Sequence, residues 1–318
     1  MIMRFRAYSV ELSLIVILFL AIGFFGYLGY GLVASSVGSR PFSGARALEY
    51  ARTQIEEGPR TTGSLANERL KEWFSQELRD NGWHVVIQPF TTNNQSSAVN
   101  LIARNRKTVD SSPVVLVGAH YNTRSVSDKD PNPENRDQPT LGANSGASGP
   151  AVLLELARRI NPQNLSIRLC LAFFDASDNN DIEGWEPAEG SDYFLNTLNN
   201  FEELRSCTSP QAVIILDMVG TGSPLSFESV SDLTIANSLR QVANALSYSD
   251  LFTEGSGDGE LGDQMPFARA NIPTVFILDT KYTYRHTQED TLDKLDEAAL
   301  ERIGRTLQTW LEETATLQ

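Results

Sequence analysis

Four short apolar runs, each followed by a polar residue, restrict this chain more than any other feature. They are 113–118 (PVVLVG), 167–174 (IRLCLAFF), 212–216 (AVIIL) and 273–278 (PTVFIL). Nearly continuous apolar runs of this length suit central strands buried on both faces. Helical periodicity fills the gaps between them, at 151–160, 191–199 and 231–246, and a last helical stretch at 295–313 closes the chain. Upstream, 45–57 and 64–81 read as helices, and 84–90 and 100–104 as strands. Strands alternating with helices predict an α/β fold with a mostly parallel central sheet sandwiched by helices.

The polar residues that close these runs point to a site. The first run ends at His120, the second at Asp175, the third at Asp217 and the fourth at Asp279. In open α/β sheets the ligand cleft lies outside the carboxyl ends of the strands, although Asp is also common in turns for local reasons. The chain has three histidines. His84 lies in an expected edge strand and reads as structural. His120 and His286 fall beside the strand ends, and with Asp178 and Asp217 they make a set of two histidines and two aspartates, which suits zinc. Each histidine taken alone reads more readily as structural than as a ligand.

The first forty residues are a separate object. Between Glu11 and Arg40 there is no charge, and 12–33 (LSLIVILFLAIGFFGYLGYGLV) is predominantly apolar. At about 1.5 Å per residue this stretch spans roughly 33 Å, enough for a bilayer core. Arg4 and Arg6 place the N-terminus on the cytoplasmic side under the positive-inside rule. The expected layout is a cytoplasmic N-terminus at 1–11, one transmembrane signal-anchor helix at 12–33, a linker at 34–44 and an extracytoplasmic domain at 45–318. A cleaved signal peptide is the rival reading, against which the apolar stretch is long.

The formal net charge of −14 excludes a nucleic-acid partner, because a phosphate-backbone binder needs a basic footprint. Cys170 and Cys207, the two cysteines, form one bridge or remain free thiols; the apolar setting of Cys170 favours buried thiols.

The segments GAHYN (118–122), GANSGASGPAVLLELAR (142–158), FFDASD (173–178), LDMVG (216–220), DQMPF (263–267) and HTQEDT (286–291) stand in this order along the chain. The ordered set resembles metallopeptidase family 28, which contains di-zinc aminopeptidases and single-zinc glutaminyl cyclases. WEPAEGS (185–191) is similar to the cyclase branch. The resemblance implies a zinc-exopeptidase, aminopeptidase-like fold. It places His120 and Asp217 as ligands of one zinc, and Asp178 and His286 as ligands of the other.

The resemblance also marks departures. Where the peptidases carry an aspartate that bridges both metals, this chain has Ser145. Where they carry the general-base acid, it has Ser177, and a serine hydroxyl takes no proton from a zinc-bound water near neutral pH. The aspartate that orients the first histidine is here Asn122; its amide oxygen is expected to accept the ring N–H without a charge. Each metal pocket then keeps two ligands, where a catalytic zinc commonly has three. Zinc is expected to bind weakly, as one ion or none, and no residue is assigned a catalytic role. The expected function is a membrane-anchored, catalytically impaired binding or scaffold module for a peptide or protein partner. The alternative is a working aminopeptidase or glutaminyl cyclase with an altered site.

Overall fold

The computed structural model describes Ala21, Gly23 and residues 40–105, 110–163, 165–256 and 262–314. The transmembrane helix expected at 12–33 therefore lies outside the described residues, apart from Ala21 and Gly23. Among the described residues no helix is long and apolar enough to cross a membrane. Residues 1–40 and 41–318 are separate units, and the second carries the α/β fold.

The unit opens with helices α1 (Gly44–Glu56) and α2 (Leu65–Asp80). Ser43 and Ser64 cap them by accepting from the amides of Arg46 and Asn67, the usual way an orphan first-turn N–H is satisfied. Strands β1 (His84–Thr91), β2 (Ser97–Arg104) and β3 (Val114–His120) follow, then α3 (Gly149–Arg159) and β4 (Arg168–Phe174). After them come α4 (Glu189–Thr197), β5 (Ala212–Asp217), β6 (Leu225–Phe227), α5 (Leu233–Ala245) and β7 (Phe252–Ser256). Helix α6 (Met265–Arg269), strand β8 (Thr274–Leu278) and helix α7 (Glu297–Thr309) complete the unit.

The eight strands form one sheet in the order β1-β2-β4-β3-β5-β8-β6-β7. Its centre, β4-β3-β5-β8, is parallel, as expected. The whole sheet is mixed, because β1/β2, β2/β4 and β6/β8 pair antiparallel. The two strands unread in the sequence, β6 and β7, are short and carry no apolar run. They lie on the far flank, β6 fully buried between β8 and β7 and β7 at the edge. All seven residues of β3 and all six of β5 are buried, which is why their sequences show continuous apolar runs rather than alternation. His84 begins the edge strand β1, as expected.

Helix α3 is buried from Gly149 to Ala157. A Cβ on Gly149 would stand 2.7 Å from the Ala119 Cβ and 3.0 Å from the Leu216 carbonyl oxygen, so only glycine lets the helix start this close to the ends of β3 and β5. That contact brings the preceding glycine-rich loop onto the strand ends. Ser148 stands just before the helix but does not cap it: its backbone is already helical. Its hydroxyl instead donates to the Asn144 carbonyl (2.6 Å) and accepts from the Val219 amide (3.1 Å), tying the loop to the segment after β5.

Cys170 and Cys207 form a disulfide, with Cα atoms 6.0 Å apart. This corrects the reading of Cys170 as a buried free thiol. The apolar run predicted burial correctly, since both cysteines are at most 1% exposed. It carried no information on the partner, which arrives from a short helical turn at Glu202–Cys207.

Candidate functional site

Each candidate ligand sits at or just beyond the carboxyl end of a parallel strand, or in the loop after β8. His120 ends β3 and Asp217 ends β5. Asp178 follows β4 by a tight turn and His286 follows β8. Ala176, Met218 and His286 itself hold positive φ (55°, 49° and 60°). Non-glycine residues adopt this region at a cost, and persist there where the surroundings over-determine the backbone. The fold thus invests strain in presenting these side chains.

The four side chains meet as two histidine–carboxylate pairs. His120 Nε2 lies 3.2 Å from Asp217 Oδ1, and His286 Nε2 lies 3.0 Å from Asp178 Oδ1. All four are buried. Burial works against charge on His120, but Asp217, with Asp178 and Asp263 behind it, pushes its pKa up to about 10. For Asp178 burial opposes ionisation, and the neighbouring His286, His120 and Arg285 outweigh it and hold the carboxyl well below its usual range. Burial pushes the His286 pKa down, against the pull of Asp178.

The serines are tied into the same cluster as hydrogen-bond donors. Ser145 Oγ donates to Asp178 Oδ2 at 3.2 Å, and Ser177 Oγ donates to Asp263 Oδ1 at 2.6 Å. Both hydroxyls face carboxylates rather than a histidine, so neither is arranged as an activated nucleophile. Asn122 corrects the expectation made for it. The His120 ring is held at Nδ1 by the backbone carbonyl of Asn122 (3.0 Å), while the side-chain oxygen accepts from the Ser177 amide (3.0 Å). The main chain supplies a carbonyl here without help from the side chain, which frees the amide to fix the turn after β4.

Residues outside the candidate ligand set complete the site. Asp263 is buried, and burial raises its pKa against His120 and Ser177. Asp290 accepts from the amides of Asn144 (2.7 Å) and Ser145 (3.1 Å) and from the Tyr282 hydroxyl (2.7 Å). Arg60, fully buried, donates to the carbonyls of Leu141 (2.8 Å) and Gly142 (2.7 Å). The glycine-rich loop is therefore gripped through its N–H groups by an aspartate and through its carbonyls by an arginine. Gly146, at φ 100°, makes the turn beside them. Asp175 and Asp279 are structural. Asp175 accepts from Thr62 (2.8 Å) and Tyr121 (3.0 Å), and Asp279 from Thr221 (2.6 Å).

His120, Ser177, Asp178, Asp217, Asp263 and Arg285 line one cavity of about 20 Å³, close to the space of a single water. A mixed sheet with a parallel centre, carrying paired histidines and carboxylates at its strand ends, is an α/β architecture like that of the zinc exopeptidases. The chain belongs to peptidase family M28, whose model matches residues 100–311. It is similar to the aminopeptidase YwaD of Bacillus subtilis, 26% identical over 236 residues, which is 69% of this chain and 44% of that protein. The chain thus spans less than half the length of that relative. Among solved structures it resembles a glutaminyl cyclase from Bacteroides thetaiotaomicron bound to N-acetylhistamine (TM-score 0.79, 26% identity, 87% of this chain and 99% of that one). It also resembles a Zn-dependent exopeptidase from Parabacteroides distasonis (TM-score 0.77, 25% identity, 87% and 100%).

The residues present do not fit a zinc ion of the kind that this class implies. Among the described residues no group of three or more His, Cys, Asp or Glu is placed to hold a metal. The four candidates meet as two pairs, and a catalytic zinc commonly takes three protein ligands. His286 Nε2, the atom that a metal would need, is crowded by Asp178 Oδ1 at 3.0 Å and by Arg285 Nε at 3.1 Å.

Proposed function

We propose that this chain is an M28-fold ectodomain whose peptidase site has become an internally paired ionic cluster. It acts as a binding or scaffold module for a peptide or protein partner. The observation that carries the reading is the pairing of Ser145 with Asp178 and of Ser177 with Asp263. At both positions where the family resemblance calls for an acid, a neutral hydroxyl spends its proton on a neighbouring carboxylate. A hydroxyl so engaged neither bridges cations nor accepts a proton from water. Loss of a general base alone removes roughly 10²–10⁴ of rate.

Anchoring by the apolar segment 12–33 is part of the proposal, with the domain on the extracytoplasmic side. The Cys170–Cys207 disulfide supports that side, since such bonds persist in oxidising compartments.

The test is activity of the full chain, with added zinc, on aminoacyl anilides and on peptides with N-terminal glutamine. No turnover above buffer is expected, and the same result for His286→Ala. Turnover by the native chain that His286→Ala abolishes would reject the proposal and establish an altered metal enzyme instead.

A further inference from the structure

A second cavity lies away from the strand-end cluster. It measures about 500 Å³, inside the usual range for a ligand site of about 300–1,000 Å³. It shares no lining residue with the cavity around His120 and Asp178. Three elements wall it: the end of β1 at Phe90 and Thr91, helix α4 and helix α6. These walls are fixed. Glu189, in the first turn of α4, accepts from the Asn93 amide (2.8 Å) and from the Glu186 amide (3.1 Å), which ties the β1–β2 turn to the segment before the helix. Gly190 lets α4 lie against the Asp175 carbonyl, where a Cβ would collide, and Asn100 Nδ2 donates to the Gly190 carbonyl at 2.8 Å. A groove held this way loses little freedom on binding.

The lining is that of a cation site. Glu186, Glu189 and Asp192 stand there against one guanidinium, Arg269. Among the described residues no cation pairs with any of the three carboxylates. The negative charge extends beyond the groove, since the chain has no lysine or arginine between Arg168 and Arg205 and carries Asp181 and Glu183 just before Glu186. Phe90 and Tyr193, which also line the cavity, stack with centroids 4.8 Å apart and planes at 15°. An aromatic face attracts a cation through its quadrupole. Arginine exploits both features, because its planar guanidinium stacks on a ring while its N–H groups meet carboxylates.

We propose that this groove binds an extended, arginine-bearing segment of a partner protein. One arginine lies against Tyr193 with its guanidinium toward Glu186 and Asp192, and Arg269 keeps a second cation away from the α6 wall. The inference rests on the proposed function for the class of partner, a peptide or protein, and on nothing in the strand-end cluster.

The test is fluorescence anisotropy on the full 318-residue chain. The probes are a labelled octapeptide of alternating arginine and alanine, its lysine and glutamate twins, and unlabelled arginine amide as competitor. The arginine peptide is expected to bind best and the glutamate twin not at all. E186Q/D192N is expected to weaken the arginine peptide by at least about fivefold. E49Q/E56Q removes the same charge from exposed positions on α1 and is expected to change the affinity by less than about twofold. R269Q is expected to tighten binding by about twofold, a gain that misfolding cannot imitate. Equal losses in the two double variants reduce the binding to general attraction by an acidic chain and overturn the proposal. So does the absence of binding, or arginine amide competing as tightly as the peptide. The proposed function fails separately: turnover by the native chain that His286→Ala abolishes defeats it and leaves the peptide affinities as they are.

Discussion

Ser145 Oγ meets Oδ2 of Asp178 at 3.2 Å, on the carboxylate oxygen opposite the one that faces His286. One aspartate is thus held from both sides, by a hydroxyl from the glycine-rich loop and by a histidine from the loop after β8. The pairing turns a candidate ligand into the centre of a local network. Its energetic consequence is direct: truncating Ser145 to alanine leaves a buried carboxylate oxygen short of a donor, which costs about 1–3 kcal/mol. A drop of that size in the unfolding free energy, read as a lower denaturation midpoint at unchanged slope, is the expected result. Ser145→Asp places a second carboxylate against Asp178 and destabilises more than the alanine does.

The disulfide closes a separation of 37 residues. Chain-entropy arguments give about 4 kcal/mol for a loop of that size. Replacing both cysteines with alanine is expected to lower the unfolding free energy by about that much, measured by equilibrium denaturation. A mild reductant applied to the folded protein leaves the bond intact, because both cysteines are at most 1% exposed.

Asp290 gives a pH signature. Burial lifts its pKa from 3.8 to about 6, against the Asn144 and Ser145 amides, the Tyr282 hydroxyl and Arg60. A raised carboxyl pKa means that the folded state binds the proton more tightly than the unfolded chain. The stabilisation is complete below pH 3.8 and is lost as pH rises to about 6, a change of roughly 3 kcal/mol. The unfolding free energy of the native chain minus that of Asp290→Asn should fall across this window and be flat above it. A difference independent of pH would show that Asp290 does not titrate there.

Arg60 predicts a dynamic effect. It donates to the carbonyls of Leu141 and Gly142 while Asp290 holds the amides of Asn144 and Ser145. Arg60→Met removes one side of the grip. Faster hydrogen exchange at the Asn144 and Ser145 amides is expected, with little change in the strands β3 and β5.

The parallel centre of the sheet was legible because β3, β4, β5 and β8 are buried on both faces, and complete burial writes itself as an apolar run. Strands β6 and β7 were not, because three residues of Leu225–Phe227 and the polar stretch Phe252–Ser256 have no periodicity to read. Ser145, Ser177, Asp178 and His286 were legible as positions through the ordered motifs. Their bonding was not. Asp263 stands far along the chain from Ser177 and reaches it only through the turn that leads into α6. Asn122 misled for a related reason: the ring of His120 found a main-chain carbonyl, which every residue has and no sequence pattern marks.

Above all, this M28 domain is proposed to hold its metal-site positions together with its own charges. Zinc per chain, measured by elemental analysis on the purified full chain after exposure to zinc and dialysis, tests this most directly. Well under one zinc per chain is the predicted result. One tightly held zinc per chain, lost on His120→Ala or His286→Ala, would contradict it.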